Sequence, residues 1–227
     1  MNKYYTIIFN IILGIGLAQS IFANTIPLTT LNDWAPMITP KAQTSTTYTI
    51  NNNQLYIDSQ NAHSGLTWKN PINIHKTPQL SFSWKVSQII PSANIAQKSL
   101  DDAPIRILIL FTEDNQRKSW IRRQIDKLFL LVYGKLPYDY SLAYVWANRA
   151  HNSPFVEGAY SHKLRTVVLD HGNQYRGQWR THSINIYNDF KKIYGAEPPQ
   201  TATLGILSDT DTTRSHIQAW LKNISIN

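Results

Sequence analysis

The chain has 227 residues, 42% of them hydrophobic and 16% charged, with a formal charge of +8 and no cysteine. That length supports a well-buried core but not two ordinary domains joined by a linker. Seven Trp and twelve Tyr exclude a disordered or collagen-like chain, and zero Cys excludes disulfides, iron–sulfur clusters, thiolate zinc sites and a cysteine nucleophile.

Met1, Asn2 and Lys3 precede an apolar stretch from Tyr4 to Phe22, broken by Asn10 and Gln19. A basic start, an apolar middle and a small-residue exit make a secretory signal, residues 1–23, with cleavage expected after Ala23 and Ser20 as the competing point. Gly14, Gly16 and the two amide side chains make the stretch a poor permanent span. Without a Cys there is no lipoprotein anchor. Residues 24–227 are therefore expected to form a single β-sandwich domain in the periplasm or outside the cell, held by its core alone.

Strand signals dominate the remainder of the chain. Leu55 and Ile57 alternate with Gln54, Tyr56 and Asp58. Leu80, Phe82, Trp84 and Val86 alternate with Ser81, Ser83, Lys85 and Ser87, between Pro78 and Pro91. Ile105 to Phe111 is apolar on both faces except at Arg106, the pattern of a central strand covered on both sides. From Asn115 to Val132 the apolar period becomes helical, with Gly134 as a C-terminal cap and Pro137 beyond it. Strands are expected again at Leu142 to Asn148 and Leu164 to Leu169. A second helix is expected from Ile186 to Tyr194, ending at Gly195. Thr201 to Ser208 and His216 to Leu221 close the chain as strands. Short strands, Pro-rich turns and no regular βα alternation predict a mainly β fold, a jelly-roll-like antiparallel β-sandwich with two helical inserts.

Six segments carry a family resemblance: Leu80 to Trp84 (LSFSW), Asp101 to Phe111 (DDAPIRILILF), Leu136 to Asn148 (LPYDYSLAYVWAN), Gly177 to Arg180 (GQWR), Asn188 to Pro199 (NDFKKIYGAEPP) and Leu204 to Thr213 (LGILSDTDTT). In this order they resemble the bacterial exported family known as domain of unknown function 3047. Two positions depart from that pattern: Ile184 stands where an Arg commonly precedes Asn185, and Thr212 where the acidic loop usually has Asn. The resemblance implies an exported chain and assigns no activity.

Three constellations could carry chemistry. Asp209-Thr210-Asp211-Thr212-Thr213 alternates carboxylates with hydroxyls. Such oxygens suit Ca²⁺ held by Asp209 and Asp211, or sugar hydroxyls, and equally suit a turn capped by its own side chains. Asp101-Asp102 lies just before Arg106. In continuous strand geometry Asp102 and Arg106 share a face, and a buried Arg106 needs a carboxylate partner, with Asp209 or Asp211 as further candidates. Arg106 could also grip an anionic or hydroxylated ligand. Thirdly, Tyr144 and Trp146 share a face with Asn148, and Trp179 precedes Arg180. Flat rings beside amide or guanidinium donors suit sugars, although most Trp in a sandwich are core. The seven His are scattered, with no zinc-protease spacing, and no nucleophile elbow or phosphate loop is present.

The basic cluster Arg117, Lys118, Arg122, Arg123 and Lys127 beside Trp120 suits a peripheral membrane contact over 117–127, or a solvated helix face. In an exported chain, nucleic acid is not the expected polyanion. The leading expectation is a non-catalytic sandwich binding a glycan or cell-envelope component. The alternatives are a glycan hydrolase using Asp102, Asp209 or Asp211 as acid and base, and an envelope structural or assembly protein.

Overall fold

The computed structural model describes residues 24–37, 44–113, 118–133, 138–159 and 161–227. The expected signal segment, residue 117, Gly134 and Pro137 lie outside them. The elements are β1 (Asn24–Thr25), β2 (Trp34–Met37), β3 (Thr47–Asn51), β4 (Gln54–Gln60), β5 (His63–Trp68), β6 (Ile72–Asn73), β7 (Gln79–Val86), β8 (Ala103–Phe111), α1 (Trp120–Tyr133), β9 (Tyr140–Ala147), β10 (Val156–Gly158), β11 (Ser161–His171), β12 (Arg180–Asn185), α2 (Ile186–Tyr194), β13 (Thr201–Asp209) and β14 (His216–Ile226).

Two sheets face each other. The small sheet runs β12-β7-β14-β4-β3, with β1 on β14. The large sheet runs β10-β11-β9-β8-β13-β5-β2, with β6 on β13. Every pairing is antiparallel except β9 with β11, which is parallel. Antiparallel neighbours can follow one another through tight turns, whereas a parallel pair needs a crossover. Here β10 and its flanking loops make that crossover, between Ala147 and Ser161.

Period-two burial builds the core. Leu80, Phe82, Trp84 and Val86 on β7 and Leu55 and Ile57 on β4 meet Ile105, Ile107, Ile109 and Phe111 on β8 in one cluster. All nine residues of β8 are buried, because its other face carries Arg106, Leu108 and Leu110 into a second, outer layer with Met37, Ala143, Tyr138, Leu164 and Leu207. That outer layer is where the candidate site lies.

Helix α2 has the expected bounds. The Asn185 side chain accepts from the Asn188 N–H at 2.9 Å, capping its start. Gly195 ends it with φ of 65°, a left-handed conformation that glycine takes without a Cβ clash. Its Phe190 is buried against Phe111, Tyr140 and Tyr194 and plugs one end of the sandwich. Helix α1 begins at Trp120, later than the apolar period predicts. The Ser119 hydroxyl, accepting from Arg122 N–H at 3.2 Å, marks its start.

One edge of the sandwich is clamped across the sheets. The buried Asp170 of β11 accepts from Trp84 Nε1 at 2.7 Å and Arg180 Nε at 3.1 Å, and lies 2.6 Å from His182 Nε2. Trp84 and Arg180 pair in the small sheet's register while Asp170 belongs to the large sheet. The carboxylate therefore ties the two layers together.

Candidate functional site

Strand β8 sits between β9 and β13, and its outward side chains run Arg106, Leu108, Leu110. Opposite Leu108 stand Ala143 on β9 and Gly205 on β13. These small residues deepen a furrow between bulkier rows. A Cβ on Gly205 would stand 3.0 Å from Met37 Cε and 3.2 Å from Leu108 Cβ, and one on Gly65 of β5 would stand 2.5 Å from the Ile206 carbonyl oxygen. The result is a cleft of about 420 Å³, within the usual range for small-ligand sites. Leu108, Leu110, Leu164 and Leu207 form its floor. His63, Asp101, Arg106 and Asp209 stand at one end, and Tyr138, Ser141, Ser161 and Lys163 at the other.

The polar end is a layered charge cluster. Arg106 is buried and donates from Nη2 to the Asp101 carboxylate at 2.6 Å and to the Asp101 carbonyl at 3.2 Å. Burial works against the guanidinium charge, but Asp101 and then Asp209 outweigh it and hold its pKa above the ordinary value. Across the β5–β13 pairing, His63 Nδ1 lies 3.5 Å from Asp209 Oδ2 and 3.9 Å from Asp211 Oδ2. Burial pushes the Asp209 carboxyl up to about 9, with Arg106 pulling the other way and Asp102 and Asp211 adding to the rise. Near neutral pH Asp209 is thus a neutral acid that can donate a hydrogen bond. Burial also lowers the His63 pKa, which favours the neutral ring despite Asp211 nearby. Among the described residues, neither Arg106 Nε nor Asp209 Oδ1 has a hydrogen-bond partner, and both atoms are buried.

Asp102 has a different job from the one its spacing suggests. Strand β8 begins at Ala103, and the Asp102 N–H closes a turn onto the Leu100 carbonyl at 2.8 Å, so strand alternation does not reach it. Its carboxylate accepts from the Thr213 N–H at 2.7 Å and the Thr213 hydroxyl at 2.5 Å, with the Thr212 N–H at 3.4 Å. Asp102 therefore holds the acidic loop in place, and the direct partner of Arg106 is Asp101.

Local bonds occupy the loop hydroxyls that would have joined Asp209 and Asp211 around calcium. The Thr210 hydroxyl is buried against Ser59 at 3.0 Å and accepts from the Ala62 N–H at 3.0 Å. The Thr212 hydroxyl turns back to Asp211 at 3.1 Å, and that of Thr213 is taken by Asp102. The groups that converge are His63, Asp209 and Asp211, with one donor atom of each within 4.8 Å of the others. A nitrogen donor is foreign to the oxygen sets calcium prefers, and the Arg106 guanidinium beside Asp209 opposes a cation.

The aromatic candidates lie elsewhere. Trp146 is fully buried, packed against Trp84, with Nε1 donating to the Gly172 carbonyl at 3.1 Å. It faces the core because β9 alternates, so its ring meets no ligand, and Tyr144 is buried on the same face. Asn148, past the end of β9, donates to the Pro91 carbonyl at 3.3 Å. Arg180 is engaged by Asp170, and its guanidinium lies 4.1 Å from the centre of the Tyr175 ring. Trp179 lies on the outer face of the small sheet, with Lys222 Nζ at 4.1 Å and Lys85 Nζ at 5.1 Å from its ring centre. Of the eight predicted ligand-binding residues, only Asp102, Arg106, Asp209 and Asp211 come together.

The chain belongs to the DUF3047 family. The family model, described as "Protein of unknown function", matches residues 32–225. No curated protein matches the chain. Among solved structures, it is similar to the family 11 carbohydrate-binding module of cellulosomal cellulase Lic26A-Cel5E of Clostridium thermocellum, at 11% identity and TM-score 0.43, covering 90% of this chain and 93% of that one. It is also similar to the xyloglucanase domain of NopAA, a type three effector from Sinorhizobium fredii, in complex with cellobiose, at 7% identity and TM-score 0.46, covering 90% and 97%. Trichoderma harzianum endoglucanase 3 from family GH12 matches at 8% identity and TM-score 0.42, covering 91% and 99%. At such identities and scores these likenesses carry no argument about a ligand of this DUF3047 member.

Sequence reasoning missed His63, Tyr138 and Lys163. His63 reaches the site only through the pairing of β5 with β13, strands from opposite ends of the chain that no local pattern joins. Tyr138 lies outside any strand and Lys163 near the start of one, where spacing carries little face information.

Proposed function

We propose that this DUF3047 protein is an exported, non-catalytic binding protein whose outer cleft takes a sugar from a glycan or other cell-envelope component. One observation carries the reading: Arg106, with Asp101, and a protonated Asp209 stand together at one end of a single apolar-floored cleft. A ligand hydroxyl, which both donates and accepts, suits a cleft lined by a guanidinium and a protonated carboxyl. The Leu108, Leu110, Leu164 and Leu207 floor suits the C–H face of a sugar ring, and Tyr138, Ser141, Ser161 and Lys163 offer further hydroxyl partners at the far end.

The test is thermal unfolding of the purified protein against neutral and acidic envelope oligosaccharides, each with calcium or a chelator. The reading expects a rise in melting temperature with at least one sugar, independent of calcium, because a ligand bound only to the folded state stabilises it. Lys163→Ala and Tyr138→Phe should reduce the shift by more than they change the unliganded melting temperature. No shift with any sugar, or a shift indifferent to both substitutions, would sink it.

A second reading has one specific support, the Asp209 carboxyl pushed up to about 9 beside Asp211. A carboxylic acid kept protonated near a second carboxylate is the acid and base pairing of glycoside hydrolysis. That reading expects turnover of a bound oligosaccharide that vanishes in Asp209→Asn while binding persists.

A further inference from the structure

The first two turns of helix α1, residues 120–127, are folded with their polarity reversed. Two basic side chains at its start point inward. Lys118, just before the helix, lies with Nζ 2.7 Å from Asp126 and 3.0 Å from Asp139. Arg122 closes the square, Nε at 3.0 Å from Asp126 and Nη2 at 2.7 Å from Asp139. Lys118, Asp126 and Asp139 are buried. Asp139 in turn is fixed to the end of β8, its N–H bonded to the Phe111 carbonyl at 2.7 Å and its carboxylate accepting from Glu113 N–H at 2.9 Å. The helix is thus fastened to the large sheet by ion pairs.

The other side of its first two turns faces outward and carries Trp120, Ile121 and Ile125, with Gln124 among them. Trp120, Ile121 and Ile125 are 67, 64 and 49% exposed, and among the described residues the only other exposed large hydrophobic side chain is Leu31. At about 100° per residue, Trp120, Ile121 and Ile125 sweep one side of the helix and Arg122 and Asp126 the opposite side. A soluble surface helix normally does the reverse, turning its apolar stripe inward. Arg123 and Lys127 border the exposed stripe, beside Trp120. The helix's one acidic residue in the described stretch, Asp126, is consumed by the ion network, so the exposed charges that residues 120–127 themselves carry, Arg123 and Lys127, are positive.

We propose that α1 is a membrane-surface anchor that lays Trp120, Ile121 and Ile125 into the headgroup region of an anionic bilayer, with Arg123 and Lys127 on the lipid phosphates. The charge pattern selects this occupant: a largely apolar strip bordered by Arg123 and Lys127 fits an anionic lipid surface, and an indole at the edge of the strip suits the bilayer interface. No helix of the described residues is long and apolar enough to cross a membrane, so α1 rests on the surface rather than spanning it. Because Asp139 lies 4.0 Å from Lys163, which lines the cleft, the anchor holds the cleft close to the lipid surface.

The test is co-sedimentation of the purified protein with vesicles of phosphatidylglycerol and phosphatidylcholine in equal parts, and with phosphatidylcholine alone. The parent chain should bind the anionic vesicles and largely ignore the neutral ones. Trp120→Ser/Ile121→Ser/Ile125→Ser should bind about a hundredfold more weakly, each lost apolar contact being worth roughly a factor of several. Its melting temperature should match the parent's, since these side chains face outward. Brominated lipids should quench parent tryptophan fluorescence, and Trp120→Phe should lose that quenching while still sedimenting, which reports the depth of this one side chain. The proposal is overturned if the triple variant binds anionic vesicles like the parent, if the parent ignores them, or if the quenching survives Trp120→Phe. It is equally overturned if the parent self-associates without lipid and the triple variant does not, which would make the stripe a contact between two copies of this chain.

Discussion

Asp170 carries an unusual share of the sandwich's cohesion for one side chain. Burial disfavours its charge, yet His182, Trp84 and Arg180 together overcome that and hold its pKa below the ordinary value. A carboxyl with a depressed folded pKa contributes stability above its unfolded pKa and loses it as pH falls through the folded one. The clamp should therefore be intact at neutral pH and weaken below about pH 4. Asp170→Asn removes the charge from these bonds and should cost about 2–3 kcal/mol at pH 7. Urea unfolding at pH 7 and pH 3 reads both effects: the gap between parent and variant should be wide at the first pH and narrow at the second. Equal gaps at the two pH values would contradict the role assigned to this carboxylate. Nothing in the sequence around Asp170 announces it, because its three partners come from β7 and β12 on the other sheet.

Among the elements, legibility follows burial symmetry. Strand β7, with one face in the core and one facing out, alternates so cleanly that its bounds can be read within a residue. Strand β8 reads as doubly covered and is so. Helix α2 is legible from its cap residue and its terminal glycine. Strands β3, β5 and β12 are not, since they lie near sheet edges and mix Thr, Ser, Gly and Asn with few apolar residues. The short strands β2, β6 and β10 are too brief to show a period. Helix α1 is legible as an apolar period but not in its orientation, which the network of half-buried Arg122 with buried Lys118, Asp126 and Asp139 decides. The furrow floor is also illegible, because Gly205 and Gly65 act through close approach to other strands. Gly205→Ala should cost about 1–3 kcal/mol and shrink any sugar-induced melting shift, since Met37 Cε and Leu108 must yield space. Gly65→Ala should cost more, because the Ile206 carbonyl cannot move without opening the β5–β13 pairing. Paired denaturation curves give the order, and a Gly65→Ala variant as stable as the parent would refute it.

For the molecule as a whole, Asp209 sets a pH slope opposite to that of Asp170. Its folded pKa of about 9 lies above the unfolded value, so the native state holds the extra proton between roughly pH 4 and pH 9. Stability should therefore decline as pH rises across that window. In Asp209→Asn, which cannot ionise, the decline should flatten, leaving the variant relatively more stable at pH 9 than at pH 5. Melting temperatures measured from pH 4 to pH 9 decide this, and an unchanged slope in the variant would refute the protonated state of Asp209. The Arg106 cluster is partly legible, since a charged residue within an otherwise apolar strand demands a carboxylate. Which carboxylate answers depends on where β8 begins, and that one-residue boundary separates Asp101, the partner, from Asp102, the loop anchor.

The place of β14 has a consequence in time rather than in energy. It is the last of the described strands, yet it lies in the middle of the small sheet, bonded to β4 on one side, to β7 on the other, and to β1 by its final residues. Until residues 216–226 insert, β3–β4 and β7–β12 are two separate ribbons with no shared ladder, and Leu80, Phe82 and Trp84 have no continuous sheet to close over them. Such distant pairings are slow to form. Strand β14 acts as the keystone: the sandwich stays open, and its apolar layers stay uncovered, until residues 216–226 have been made and have inserted.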